Sequence, residues 1–188
     1  MTRTDSQWGR TLGVALMLQA LACGNSASGD LPPPACDVDI QEVAYEGAQH
    51  VPVDMPLSYG SNPPASGMHY PYWGTWGVHD TPLPRGNYVH NMEHGGVALL
   101  YRCDGGCPDI VAALRGVMDG QPQDSSCSAP VRNRIVVTAD SLLDVPVAAA
   151  AWRFTYRAAC VDAPSLAAFI SAHYDRGPES LCAQGQIQ

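Results

Sequence analysis

The chain has 188 residues, a hydrophobic fraction of 46%, a formal net charge of −8 and no lysine. That length suits one domain with a real core. An acidic, lysine-free composition excludes the basic footprint of a nucleic-acid-binding protein.

Residues 1–22 read as a targeting segment and stand outside the fold. Arg3 and Arg10 precede the apolar run Thr11–Ala22, which is shorter than the roughly 20 apolar residues that span a bilayer. The run ends in Ala20-Leu21-Ala22-Cys23-Gly24, which resembles the lipobox of bacterial lipoproteins, although Ala20 stands where leucine is usual. The resemblance implies that Cys23 is lipidated and anchors the protein to a membrane of the bacterial cell envelope, on the periplasmic face or the cell surface. An ordinary signal peptide cut nearby is the alternative, and it too implies export. Residues 24–35, with Pro32, Pro33 and Pro34, read as a flexible tether, and 36–188 as a single globular domain.

In the mature chain Val38–Tyr45 is a candidate first strand. His50 to Tyr88 then carries seven prolines together with His50, His69, His79, Tyr59, Tyr70, Tyr72, Trp73 and Trp76. Little regular structure survives that proline density, and an aromatic loop of this length reads as a wall over the core. Val97–Arg102 is a buried strand, and Pro108–Met118 a helix with proline in its first turn and Asp109 near its positive end. Val131–Ala139 is a second buried strand. From Trp152 the alternation Trp152, Phe154, Tyr156 predicts a third, with those three rings on one face. Pro164–Tyr174 is the last helix, capped by Asp162 and stopped at Gly177-Pro178. The expected fold is α+β: a small mixed sheet with helices packed on one face and the long Pro/Gly/aromatic loop covering a histidine-rich site.

Six cysteines remain after Cys23: Cys36, Cys103, Cys107, Cys127, Cys160 and Cys182. An even number in an exported chain reads as up to three disulfides, with 15 possible connectivities. The pairing expected here is Cys160–Cys182, Cys107–Cys127 and Cys36–Cys103. The rival reading has Cys103 and Cys107 binding metal.

The chemistry concentrates in Tyr88–Tyr101, YVHNMEHGGVALLY. On a strand His90 and His94 would lie about 13 Å apart and share nothing. On one helical turn His90, Glu93 and His94 face the same side, with Cβ atoms about 5–6 Å apart. A short helical turn over 88–94, stopped by Gly95-Gly96, is therefore expected. H-x-x-E-H formally matches an inverted zinc-peptidase motif, but the flanking Pro84, Gly86, Gly95 and Gly96 do not supply its long helix. The expected metal ligands are His69, His90, His94 and Glu93, with His50 and His79 next. Imidazoles suit copper or zinc, and Met68 and Met92 would tilt the choice towards copper. The alternative is a metal-dependent enzyme, an oxidoreductase or hydrolase, with Glu93 as the base. A Ser66–His69–Glu93 arrangement lacks the nucleophile elbow. In the third reading, a structural or interaction domain, the histidines only bond the loop backbone and Glu93 fixes a tautomer. His173 reads as a surface residue or a dipole partner, and no protein or small-molecule partner is indicated.

Asn62–Tyr70 (NPPASGMHY), Trp73, Gly77 and Val89–Gly95 (VHNMEHG) together resemble a bacterial family of domains of unknown function, number 3105, over about His50 to Glu179. The resemblance implies that His50, Ser66, His69, His90, Asn91, Glu93 and His94 fall on the family's recurring polar positions. It implies export or membrane tethering for many members and no activity. The cysteines depart from many members of the family.

Overall fold

The computed structural model describes residues 1–2, 36–103 and 105–187. The rest of the leader, the lipidation at Cys23 and the 24–35 tether lie outside the described residues. Among the described residues six strands and three helices follow in the order β1 (Val38–Glu42), β2 (Gly77–Val78), α1 (Arg85–Glu93), β3 (Val97–Tyr101), α2 (Pro108–Asp119), β4 (Ile135–Ala139), β5 (Val147–Ala151), β6 (Phe154–Ala158) and α3 (Ala163–His173). The strands form one mixed sheet ordered β1-β6-β5-β3-β4-β2. The β3/β4 and β4/β2 pairs are parallel, and the rest are antiparallel. This is an α+β fold.

Strand alternation sorts the core into two layers. Val97, Leu99, Ile135, Val137, Ala149 and Tyr156 face α2 and α3, which contribute Leu114, Val117, Leu166, Phe169 and Ile170. Ala98, Leu100, Val136, Ala148 and Ala150 face the other way, onto Tyr88, Val89 and Met92 of α1 and onto Ala65 and Leu83 of the loop. The two longer helices share one face as expected; α1 lies with the loop on the opposite face. α3 starts as expected, with the Asp162 side chain accepting from Ser165 N at 2.9 Å.

Three expectations change. The strand expected from Trp152 is the second of two, β5 and β6, joined at Trp152-Arg153, where Arg153 turns with φ 68°. Ala148–Ala151 shows no alternation because both its faces are buried. The turn also separates the expected rings: Trp152 packs in the α1 layer, Phe154 and Tyr156 in the other. The first strand stops at Glu42, paired with Phe154, because its partner begins there. The strand expected from Val131 begins at Ile135, since Arg134 turns a fully buried guanidinium into an acidic network.

All six described cysteines pair, but as Cys36–Cys160, Cys103–Cys107 and Cys127–Cys182. Sheet register explains the first correction. Val38 opposes Ala158, so the residues two steps beyond each, Cys36 and Cys160, meet. Cys103 and Cys107 flank the turn from β3 into α2, and their bond leaves no thiolate for a metal. Cys127–Cys182 fastens the C-terminal segment to the loop before β4. Among the described residues no helix is long and apolar enough to cross a membrane.

Asp124 anchors the acidic network. It accepts from Arg134 at 3.0 Å and from the Tyr174 hydroxyl at 2.6 Å. Burial opposes its carboxylate, but hydrogen bonds from Ser126 and Tyr174 and the charge of Arg134 outweigh that and hold its pKa at about 2. A depressed carboxyl stabilises the fold above the ordinary aspartate pKa of about 4 and ceases to as pH falls through its folded value. Asp124→Asn should therefore flatten the loss of stability between about pH 4 and about pH 2, read by denaturant unfolding across that range. An unchanged slope would dismiss the network as an acid-sensitive element.

Candidate metal centre

α1 is polar on its outer side and still buried: Asn87, His90, Asn91, Glu93 and His94 are each under 7% exposed. Buried polar groups need partners, and the irregular loop supplies them from its backbone. Asn87 Nδ2 donates to the Tyr72 carbonyl at 2.6 Å, and His90 Nδ1 to the Tyr70 carbonyl at 2.7 Å. Asn91 bonds Gly74 both ways, accepting from its N–H at 2.9 Å and donating to its carbonyl at 2.8 Å. Gly86 permits the close approach, since a Cβ there would lie 2.6 Å from Leu57 and Tyr70 side-chain atoms.

The helix end is held by the C-terminal segment. The last carbonyls of a helix lack internal partners; here Glu179 N–H donates to Glu93 O at 3.0 Å and Asp175 N–H to Gly95 O at 2.8 Å. Arg134 Nη1 donates to His94 O at 2.9 Å. Gly177 is required at this crossing: a Cβ would fall 2.3 Å from Glu93 O and 2.5 Å from Met92 O.

This frame brings His50, His69, His90 and Glu93 together, with one ligand atom of each within 4.8 Å of all the others. A parallel bridge between His50 and His69 aligns the two loop histidines. Glu93 Oε2 lies 2.9 Å from His69 Nε2, 3.3 Å from His50 Nε2 and 3.8 Å from His90 Nε2. Donor atoms around a tetrahedral ion with bonds near 2.0–2.1 Å stand about 3.3 Å apart, so small adjustments would close the group on one ion. His69 Nδ1 donates to the Gly67 carbonyl at 2.8 Å. With both buried rings donating Nδ1–H to carbonyls, each presents Nε2 to a proton or a metal ion, in the manner of metal-ligating histidines whose second nitrogen is pinned. The His50 side chain is half exposed, at 51%, and opens the group to solvent.

The charge states suit a cation. Burial lowers the His90 pKa to about 4, against its bond to the Tyr70 carbonyl and with help from the neighbouring imidazoles. Burial would raise the Glu93 pKa, but the hydrogen bond and charge of His69, with His50 and His90, leave it lowered. At His90 and Glu93 these are the neutral imidazole and ionised carboxylate that a metal requires.

The expected ligand set is thus partly rearranged. His50 joins the group. His94 falls in a second cluster of Glu93, His94 and Glu179, with its Nε2 3.2 Å from His90 Nε2. Glu179 gives little sign of itself in the sequence; only the crossing at Gly177 delivers it. His79 stands apart, its Nε2 bonded to the Thr75 carbonyl at 2.7 Å and its N–H to Val137 O. Ser66 Oγ accepts from Glu46 N–H at 3.0 Å and faces the Ala44 carbonyl, so it braces the loop and the Ser66–His69–Glu93 arrangement is not formed. Met92 is spent in the apolar layer and Met68 is exposed, which removes the argument from thioethers to copper. Trp73 lies against both helix histidines, with ring centroids 5.1 Å from His90 and 4.5 Å from His94. His173 stacks on Phe154 at 4.0 Å.

The family profile described as "Protein of unknown function (DUF3105)" matches residues 50–185. The chain belongs to the DUF3105 family. The match begins at His50 and takes in both clusters, Glu179 included. Comparison with curated proteins and with solved structures gives no match.

If the Asn91 pair holds the loop on the helix, Asn91→Leu leaves the Gly74 N–H and carbonyl buried without partners. Each such group costs about 1–3 kcal/mol, so the variant should lose at least about 2 kcal/mol in denaturant unfolding. A loss within about 0.5 kcal/mol, ordinary for surface changes, would show that the loop is held otherwise.

Proposed function

We propose that this DUF3105 protein is an exported, lipid-anchored domain of the bacterial cell envelope that binds a transition-metal ion through His50, His69, His90 and Glu93. Export and anchoring rest on the leader and on Cys23, and the complete pairing of the six described cysteines is what an oxidising compartment favours. The observation that carries the metal reading is the pair of buried rings, His69 and His90. Each gives Nδ1–H to a backbone carbonyl and turns Nε2 towards the Glu93 carboxylate. A cluster that only ordered the loop would be served by the Nδ1 bonds and one His–Glu93 pair; three imidazole nitrogens gathered around one carboxylate support a shared ion. Imidazole and carboxylate donors without a thioether suit zinc or copper(II).

The enzyme reading, with Glu93 as base, makes the opposite demand. A general base works best with a pKa raised towards the operating pH. Glu93 is lowered and faces two imidazoles within 3.3 Å, which suits a ligand better.

The test is metal analysis of the mature chain, purified from the periplasm without a histidine tag. A zinc or copper ion that survives dialysis is expected, and His69→Ala and His90→Ala should each lose it while His79→Gln and His173→Ala keep it. Free metal at 100 times its dissociation constant should stabilise the wild type by about 2.7 kcal/mol. Absence of both bound metal and metal-dependent stabilisation would reject the reading.

A further inference from the structure

His94 and Glu179 have no part in the single-ion reading. His94 Nε2 lies 3.2 Å from Glu179 Oε2 on one side and 3.2 Å from His90 Nε2 on the other. Glu93, His94 and Glu179 each place a ligand atom within 4.8 Å of the others. Because His90 Nδ1–H is given to Tyr70, His90 Nε2 offers His94 a lone pair. The His94 ring is 3% exposed, yet its Nδ1 has no hydrogen-bond partner among the described residues. Both neighbours of His94 Nε2, the His90 nitrogen and the Glu179 carboxylate, are acceptors, so Nε2 carries the proton in the metal-free protein, and an ion held there would take that proton's place between the same groups. Two donor sets thus meet at one carboxylate, and the Trp73 ring lies against the two histidines that face each other between them.

We infer that the site is dinuclear: a second divalent transition-metal ion is held by His94 and Glu179 beside the first, with the Glu93 carboxylate shared between them. This rests on the proposed first site. Sharing a carboxylate is compatible with the roughly 3.5–4 Å metal separation of two-metal sites. The second anionic ligand also has a reason. A single carboxylate leaves an ion among neutral imidazoles with excess positive charge, and a neighbouring dication needs a carboxylate of its own. The two ions differ in affinity. The first has two pinned, buried imidazoles; the second has an unpinned ring and a Glu179 side chain that is 55% exposed. With three protein ligands the second ion also keeps an open position for water or an oxygen-bearing ligand.

Copper(II) is the probe, because each isolated ion gives an electron paramagnetic resonance signal and two ions bridged by a carboxylate couple and lose intensity. The mature, metal-stripped wild type should take up two equivalents, the first giving a full signal and the second lowering the signal per copper. Glu179→Gln, an exposed and conservative change, and the double variant His94→Ala/Glu179→Gln should keep the first equivalent and lose the second with its coupling. One equivalent in wild type, unaffected by either variant, overturns the second ion and leaves the first standing. Two equivalents at full, uncoupled intensity overturn the shared carboxylate. No uptake at all removes the first site and this one with it.

Discussion

The structure depends on burying a polar helix. α1 presents Tyr88, Val89 and Met92 to the sheet, but its other side carries amides, imidazoles and a carboxylate. An unpaired polar group buried away from water costs on the order of 1–3 kcal/mol. The loop removes that cost with its own backbone, at the carbonyls of Tyr70, Tyr72 and Gly74. The dependence is mutual, because a loop pressed on a core also has backbone groups to satisfy. Loop and helix therefore order each other, and the histidines lie at their junction.

The helix end extends that logic across the molecule. Arg134, fully buried ahead of β4, joins His94 O to Asp124 and Asp175. Tyr174 at the end of α3 reaches the same Asp124. The layer of α2 and α3 is thus tied to the layer of α1 through one guanidinium. The tail continues from there, fixed by Cys127–Cys182 and by the indoles of Trp73 and Trp76, which both donate to the Ala183 carbonyl. Glu179 takes its place beside His94 as part of this strap.

The polar residues of the family motifs divide by role. Ser66 and Asn91 are frame: one braces the loop onto the segment before it, the other pairs with Gly74. His50, His69, His90 and Glu93 converge, while His94 and Glu179 form a less constrained pair beside them. A motif reading alone treats these positions as equivalent. Their hydrogen bonds separate groups with every partner fixed from groups that keep a nitrogen or oxygen available.

The local elements were legible in the sequence. Spacing placed the α2 and α3 helices, the Asp162 cap and the β3 strand within a residue or two, because helix periodicity and capping are short-range. Helical spacing also put His90 and Glu93 on one turn, and the turn-rich loop around His69 offered the third member of the group. The Trp152-Arg153 hairpin was not legible, since a run of alanines buried on both faces carries no alternation. Nor were the disulfides: Cys36 meets Cys160 through strand register. It takes the packed fold to bring His50 into the first group, to leave His79 out, and to set His94 beside a Glu179 delivered from far along the chain. The reason is physical. A ligand set is fixed by where unrelated backbone segments cross, and those crossings follow from packing and hydrogen-bond satisfaction over the whole fold.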